Sequence, residues 1–203
     1  MAQIALVGAS GNAGARILKE LSDRGHQVTA IARHPEKIAE LPGSRAVKGD
    51  VDDKAALTEA LKGHDAVISA VPFSTSDAAT LIGAVQASGV KRYLVVGGAG
   101  SLLVASGERV IDQPDFPDEY KPEASKGVVF LEKLHQVDDL EWTFLSPSAE
   151  FEPGERTGVF RLGKDELLVS DQGSRISFED YAIALVDELE HPQHIRERFT
   201  VGY

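Results

Sequence analysis

Val7-Gly8-Ala9-Ser10-Gly11-Asn12-Ala13-Gly14 is the stretch on which the fold turns. Its glycines recur at a spacing of three, between the apolar run Ile4-Ala5-Leu6-Val7 and an amphipathic stretch from about Asn12 to Arg24. A strand that bends on glycine straight into a helix lets backbone approach a ligand closely. It also leaves the first helical amides free to meet negative charge. The spacing is G-x-x-G-x-x-G, not the G-x-G-x-x-G of the standard dinucleotide fingerprint, and no lysine follows as a P-loop requires. Gly8, Ser10, Gly11, Asn12, Ala13 and Gly14 are therefore candidate pyrophosphate contacts. The alternative is a glycine-rich connection that binds nothing.

Outward from this turn, short β-rich runs alternate with longer amphipathic ones. The sequence predicts strands at Gln27 to Ala32, Arg45 to Lys48, Ala66 to Ala70, Tyr93 to Val96 and Trp142 to Leu145. It predicts helices at about Lys54 to Lys62, Asp77 to Ser88 and Glu123 to Gln136, with a short one near Glu36 to Glu40. Such alternation implies βαβ units with right-handed crossovers, and the near-continuous apolarity of the strands implies burial on both faces. The expected fold is α/β, a doubly wound, mostly parallel Rossmann sheet in the order 3-2-1-4-5-6. After Leu145 the pattern breaks. Val159 to Leu162 and Glu166 to Val169, flanking Gly163-Lys164-Asp165, read as a hairpin within a small insertion over residues 146–176 of a single domain spanning 1–203. Ser177 and Asp180 fit a capping box that opens a helix to about Glu190, and Phe199-Thr200-Val201 is a candidate seventh strand at the sheet edge.

The 203 residues include no cysteine, and 21 Lys+Arg against 32 Asp+Glu give a net charge of −11. The length suffices for a two-sided core. Without cysteine there is no disulfide, thiolate metal site or thiol nucleophile, so redox chemistry must run on a borrowed cofactor. The acidic balance argues against nucleic acid and anionic membranes as partners. No apolar run reaches the roughly 20 residues of a membrane span, and the N-terminus lacks the features of a signal peptide, so the expected location is the cytoplasm. His191 and His194 lie beside Pro192 without a metal-ligand pattern, and no metal is expected.

Which dinucleotide is bound is decided where the second strand ends. An acid there would accept from the ribose hydroxyl of NAD, whereas arginine suits the 2′-phosphate of NADP. The sequence has Arg33 and His34 with Lys37 close behind, so NADP(H) is favoured and NAD(H) is the alternative. Asp50 and Val51, after the third strand, are placed to meet adenine; Asp50 is equally suited to cap the next helix.

Taken together, Gly8-x-x-Gly11-x-x-Gly14, Arg33, Gly49-Asp50-Val51, Ile68-Ser69-Ala70-Val71-Pro72 and Val95 through Ser101 resemble the atypical short-chain dehydrogenase/reductases. Within these, the chain resembles the NmrA-like group of NAD(P)H-flavin reductases. Trp142 through Pro147, Phe151 through Gly158 and Ser174 through Ala182 carry the resemblance along the rest of the chain. The resemblance implies that Ser69, Ala70 and Val71 line the nicotinamide ribose, that Gly97 lies against the cofactor, and that Ser101 is a polar group near the nicotinamide. Ser101 also reads as a turn serine. Tyr120 is a candidate acid or lid contact, or simply a tyrosine at a helix entrance. The usual Tyr/Lys pair at i and i+4 is not in the sequence: Ala124 follows Tyr120, Gly97 follows Tyr93 and Leu185 follows Tyr181 at that spacing. Lys126 lies about 240° around a helix from Tyr120. Arg156 and Arg161 are either contacts for an acidic acceptor or solvated arginines.

Two functions compete. One is an NADPH-dependent oxidoreductase that passes hydride to a small flavin- or quinone-like acceptor, flavin being a substrate; such acceptors delocalise charge and need little acid help. The other is a non-catalytic NADP(H)-binding redox sensor. A sugar-nucleotide epimerase is disfavoured by the short C-terminal part and the missing pair. The expected assembly is a monomer or homodimer.

Overall fold

A computed structural model describes residues 1–203. Ten strands and five α-helices follow in the order β1 (Gln3–Val7), α1 (Asn12–Asp23), β2 (Gln27–Ala32), β3 (Ser44–Lys48), α2 (Lys54–Leu61), β4 (Ala66–Ser69), α3 (Ala78–Ser88), β5 (Arg92–Val96), α4 (Lys121–Leu134), β6 (Glu141–Pro147), β7 (Glu150–Glu152), β8 (Arg161–Gly163), β9 (Arg175–Ser177), α5 (Phe178–Glu190) and β10 (Glu197–Gly202). The main sheet runs β3-β2-β1-β4-β5-β6-β10-β8, parallel throughout except for β8. The expected 3-2-1-4-5-6 order is therefore present.

Strand alternation splits the interior into two cores. Ile4 and Leu6 of β1 point with Leu94 and Leu145 to the face covered by α1 and α5, where Ile17, Leu21, Tyr181 and Leu185 are buried. Ala5 and Val7 point to the opposite face, under α2, α3 and α4, among Leu57, Leu81, Phe130, Trp142 and Phe144. Burial of each such side chain contributes about 1.5–3 kcal/mol, which is what fixes the strand register.

Beyond β6 the structure departs from the expected pattern. The runs around Gly163 do not form a hairpin. The antiparallel pair made here joins β8 to β10, through Thr200↔Gly163 and Gly202↔Arg161, while the second run bridges in parallel to Leu103 at Glu166. β10 is the seventh strand, lying parallel to β6, but β8 covers it, so it is not the edge. β7 and β9 form a separate parallel pair that places Phe151 opposite Ile176. The short helix expected near Glu36 is a single 3-10 turn, Pro35–Lys37. Ser177 caps α5 by accepting from the Asp180 amide at 3.0 Å, but the Asp180 carboxylate turns to Thr157 and Gly158 instead of closing the box. No helix is long and apolar enough to cross a membrane.

Candidate functional site

At the carboxyl end of β1, Gly8 adopts φ +85°, and a Cβ there would lie 2.5 Å from the Ala70 carbonyl oxygen. A Cβ on Gly14 would come within 2.0 Å of the Gly8 carbonyl oxygen, so Gly8 is required by its left-handed backbone and the close approach of the chain after β4, and Gly14 by the approach of α1 to the turn. Gly11 differs: its nearest neighbour would be 3.4 Å away. The protein leaves that position open, as the backbone approach of a phosphate requires. Gly11 is the N-cap of α1, which has no side-chain cap and no acid in its first turn, whereas Asp53, Asp77 and Ser177 cap α2, α3 and α5. The first amides of α1 thus offer uncompensated positive partial charge.

Two cavities meet at this turn. The first, about 250 Å³, is lined by Gly8, Ser10, Gly11, Arg33, Asp50 and Val51 among others. Arg33 is exposed there and makes no hydrogen bond or ion pair within the protein. His34 lies outside the cavity, its Nδ1 3.1 Å from Glu36 Oε1. Asp50 is not a helix cap: Asp53 takes that role by accepting from the Ala56 amide at 3.0 Å, while Asp50 accepts from the Asp52 amide.

The second cavity, about 490 Å³, shares Gly11, Ala70, Val71 and Pro72 with the first. Asn12, Ala13, Gly97, Ser101 and Tyr120 also line it, with Phe73, Phe116, Phe151 and Phe178 supplying aromatic lining. Neither lysine nor arginine lines it, and its one carboxylate, Glu123, is held by the Phe73 and Ser74 amides at 2.8 and 2.7 Å. Phe151 packs edge-on against Phe178 at 4.5 Å, and Phe73 stacks with Phe144 at 6.0 Å. Gly97 is obligatory, because a Cβ would lie 2.4 Å from the Phe144 ring.

Several expected contacts take other positions. Ser69 does not line the cleft with its side chain: β4 turns it inward, 2 % exposed, where its hydroxyl lies 2.8 Å from the Tyr93 hydroxyl. Burial raises the Tyr93 phenol above its usual range. Tyr120 sits at the rim, 58 % exposed. Lys126 donates to the Ser74 carbonyl at 2.9 Å and lies outside the cavity that Tyr120 lines. Arg156 does not line the cavity; its side chain stays largely exposed to solvent while it holds both carboxylate oxygens of buried Glu20 at 2.9 Å. Arg161 donates to the Val169 and Tyr203 carbonyls. Sequence reasoning missed Phe73, Phe116 and Glu123, which become neighbours only when loops from separate βα units converge; Phe151 and Phe178 stood in the motifs that carry the resemblance, with no place in the site assigned to either. No group of three or more His, Asp or Glu residues is arranged to hold a metal. A larger hollow of about 670 Å³, at the 146–176 segment, shares no residue with the cleft, and its walls carry Glu150, Glu152, Glu155 and Asp171 against the single cation Arg175, a balance that opposes an anionic dinucleotide.

Residues 8–192 match the family model described as NAD(P)H-binding. The chain belongs to that family. It is 46% identical to the uncharacterised protein YwnB of Bacillus subtilis, across 98% of this chain and 97% of that protein. Among solved structures, a putative epimerase from Bacteroides thetaiotaomicron is similar at TM-score 0.94 and 45% identity, covering 99% of this chain and 96% of its own. A putative NADH-flavin reductase from Streptococcus pneumoniae TIGR4 is similar at TM-score 0.85 and 36% identity, covering 100% and 99%. The chain is thus an NAD(P)H-binding protein of the oxidoreductase-like Rossmann type, consistent with the atypical short-chain dehydrogenase/reductases.

Proposed function

We propose that this protein is an NADPH-dependent oxidoreductase that transfers hydride to an uncharged, flat acceptor of the flavin or quinone class, without a Tyr/Lys pair. The observation that carries this reading is the joined pair of cavities. One holds the unpaired Arg33; the other is aromatic and free of lysine and arginine; Gly11 and Ala70 to Pro72 form their common wall.

In this reading Arg33 takes the 2′-phosphate, Asp50 and Val51 the adenine, and the α1 amides with Ser10 to Ala13 the pyrophosphate. Ala70, Val71 and Gly97 lie beside the nicotinamide ribose and ring. A bound dihydronicotinamide supplies the hydride. The chain supplies proximity, an aromatic surface for stacking, and a pocket into which an acceptor enters only if it leaves its charges outside. Tyr120 at the rim covers the acceptor, and the exposed setting of its phenol suits a contact better than an acid. The domain is a single unit over 1–203, with 146–176 supplying Phe151 to the acceptor wall. The resemblance to the named flavin reductase supports the same acceptor class.

The test follows NADPH absorbance at 340 nm with menadione, riboflavin and FMN as acceptors. The expected result is turnover with menadione and riboflavin and slower turnover with FMN, whose phosphate finds no cation in the cavity. NADPH binding with no turnover on any acceptor overturns the enzyme reading and leaves the redox sensor.

A further inference from the structure

The acceptor cavity rests on a buried positive charge. Arg198 of β10 is 9 % exposed, and its guanidinium is divided among three segments of chain. Nε and Nη2 donate to Asp165 Oδ1 at 3.0 and 2.9 Å. Nη1 donates to Ser101 Oγ at 2.9 Å and to Ser146 Oγ at 3.3 Å, and Nη2 donates to the Ser101 carbonyl at 3.3 Å. A guanidinium has only donors, so Ser101 Oγ accepts from Arg198 through a lone pair. The hydroxyl hydrogen of Ser101 has no acceptor within the protein, and Ser101 lines the cavity. The Asp165 side chain is 58% exposed whereas that of Arg198 is 7% exposed, so water screens the anion more than the cation.

We propose that Arg198 is a positioning residue that fixes Ser101 as a hydrogen-bond donor into the cavity, so that the site selects aromatic acceptors bearing a ring carbonyl oxygen. The proposal rests on the oxidoreductase reading above. In the reaction a hydride, with its electron pair, passes from dihydronicotinamide to the quinone. The dihydronicotinamide is oxidised and the quinone becomes a hydroquinone anion, which takes one proton from water. Ser101 keeps its proton throughout. It donates a hydrogen bond to the carbonyl oxygen, and that bond strengthens as the oxygen gains charge, with the Arg198 cation about one hydrogen bond behind it.

The test compares binding of 1,4-naphthoquinone and naphthalene, two flat probes of similar size, by ligand-observed NMR titration of the NADP⁺-saturated protein. The chain has no cysteine, so the quinone meets no thiol. The wild type is expected to prefer the quinone by roughly three- to tenfold, the worth of one hydrogen bond. Ser101→Ala is expected to abolish the preference. Arg198→Met is expected to abolish it too and to add nothing in the Ser101→Ala background, whereas Arg198→Lys, which keeps a donor, retains part of it. Should Arg198→Met fail to fold, Ser101→Ala and Arg198→Lys decide the matter. A preference that survives Ser101→Ala, or one that survives Arg198→Met while its Tm falls, overturns the proposal and leaves Arg198 a structural tie. The oxidoreductase reading fails differently: neither probe binds the wild type, and NADPH is not consumed with any acceptor.

Discussion

Gly8, Gly11 and Gly14 share one motif and hold three different places in the structure. Gly14→Ala forces a methyl to within 2.0 Å of the Gly8 carbonyl oxygen and is expected to cost about 1–3 kcal/mol of stability. Gly11→Ala meets nothing closer than 3.4 Å and should lose only about 0.5–1 kcal/mol, the difference between glycine and alanine at an N-cap, yet bind NADPH roughly five- to hundredfold more weakly. Thermal unfolding paired with NADPH titration separates the two; a Gly11→Ala variant that binds normally removes the pyrophosphate assignment. In the proposed reading Arg33 carries the choice of dinucleotide. Arg33→Asp is expected to weaken NADPH by roughly ten- to hundredfold and to leave NADH nearly unchanged, as measured by fluorescence titration of each. Equal losses would refute a phosphate contact. Both positions were legible in the sequence because turn chemistry and charge act locally. The Ser69 side chain was not, since the pleat of β4 decides which way it points.

At the scale of elements, the 146–176 segment is tied down by ions and amides. Arg156 grips Glu20 of α1, the Thr157 and Gly158 amides donate to Asp180 at 2.8 Å each, and the Gly154 amide donates to Glu179, which also pairs with Arg16. The Arg156 side chain is 55% exposed and Glu20 retains Arg24, so Arg156→Met is expected to cost only about 1 kcal/mol in global stability. Locally the effect is larger: hydrogen exchange of amides 154–158 should quicken while the β1, β4 and β5 amides stay protected. Unchanged exchange in that segment would show that the pair does not hold it. The expected hairpin failed at this same scale. Residues 159–169 have the composition of paired strands, but the uncovered flank of β10 and the backbone of Leu103 offer them partners that only the assembled sheet presents.

At the scale of the whole molecule, the response to acid follows the carboxylates whose folded surroundings hold them ionised. Burial opposes ionisation of Glu20, Glu179 and Asp180, but hydrogen bonds outweigh it. Arg156 and Arg24 act on Glu20, the Gly154 amide and Arg16 on Glu179, and Thr157 and Gly158 on Asp180, and all three carboxyls are held below their ordinary range. Unfolded carboxyls titrate near pH 4, so on acidification the unfolded chain takes up protons first. The stabilisation is present above about pH 5 and is lost as pH falls through the depressed folded values. Thermal unfolding from pH 7 to 3 should show Tm falling below about pH 5, and Asp180→Asn should start lower and fall less. A parallel fall in the variant would exclude Asp180 from the effect.

The amino-acid sequence by itself determined the alternation of elements, the parallel sheet and its order, the glycine turn and the lone arginine beyond β2, because periodicity, backbone freedom and charge are properties of neighbouring residues. Tertiary structure alone decided that Phe73, Phe116, Phe151 and Phe178 line one cavity, that β8 pairs with β10, that Ser69 turns inward and that Arg198 stands behind Ser101. Each of these depends on which distant segments meet at the carboxyl edge of the sheet. Burial of both sheet faces fixes that meeting, and spacing along the chain does not record it.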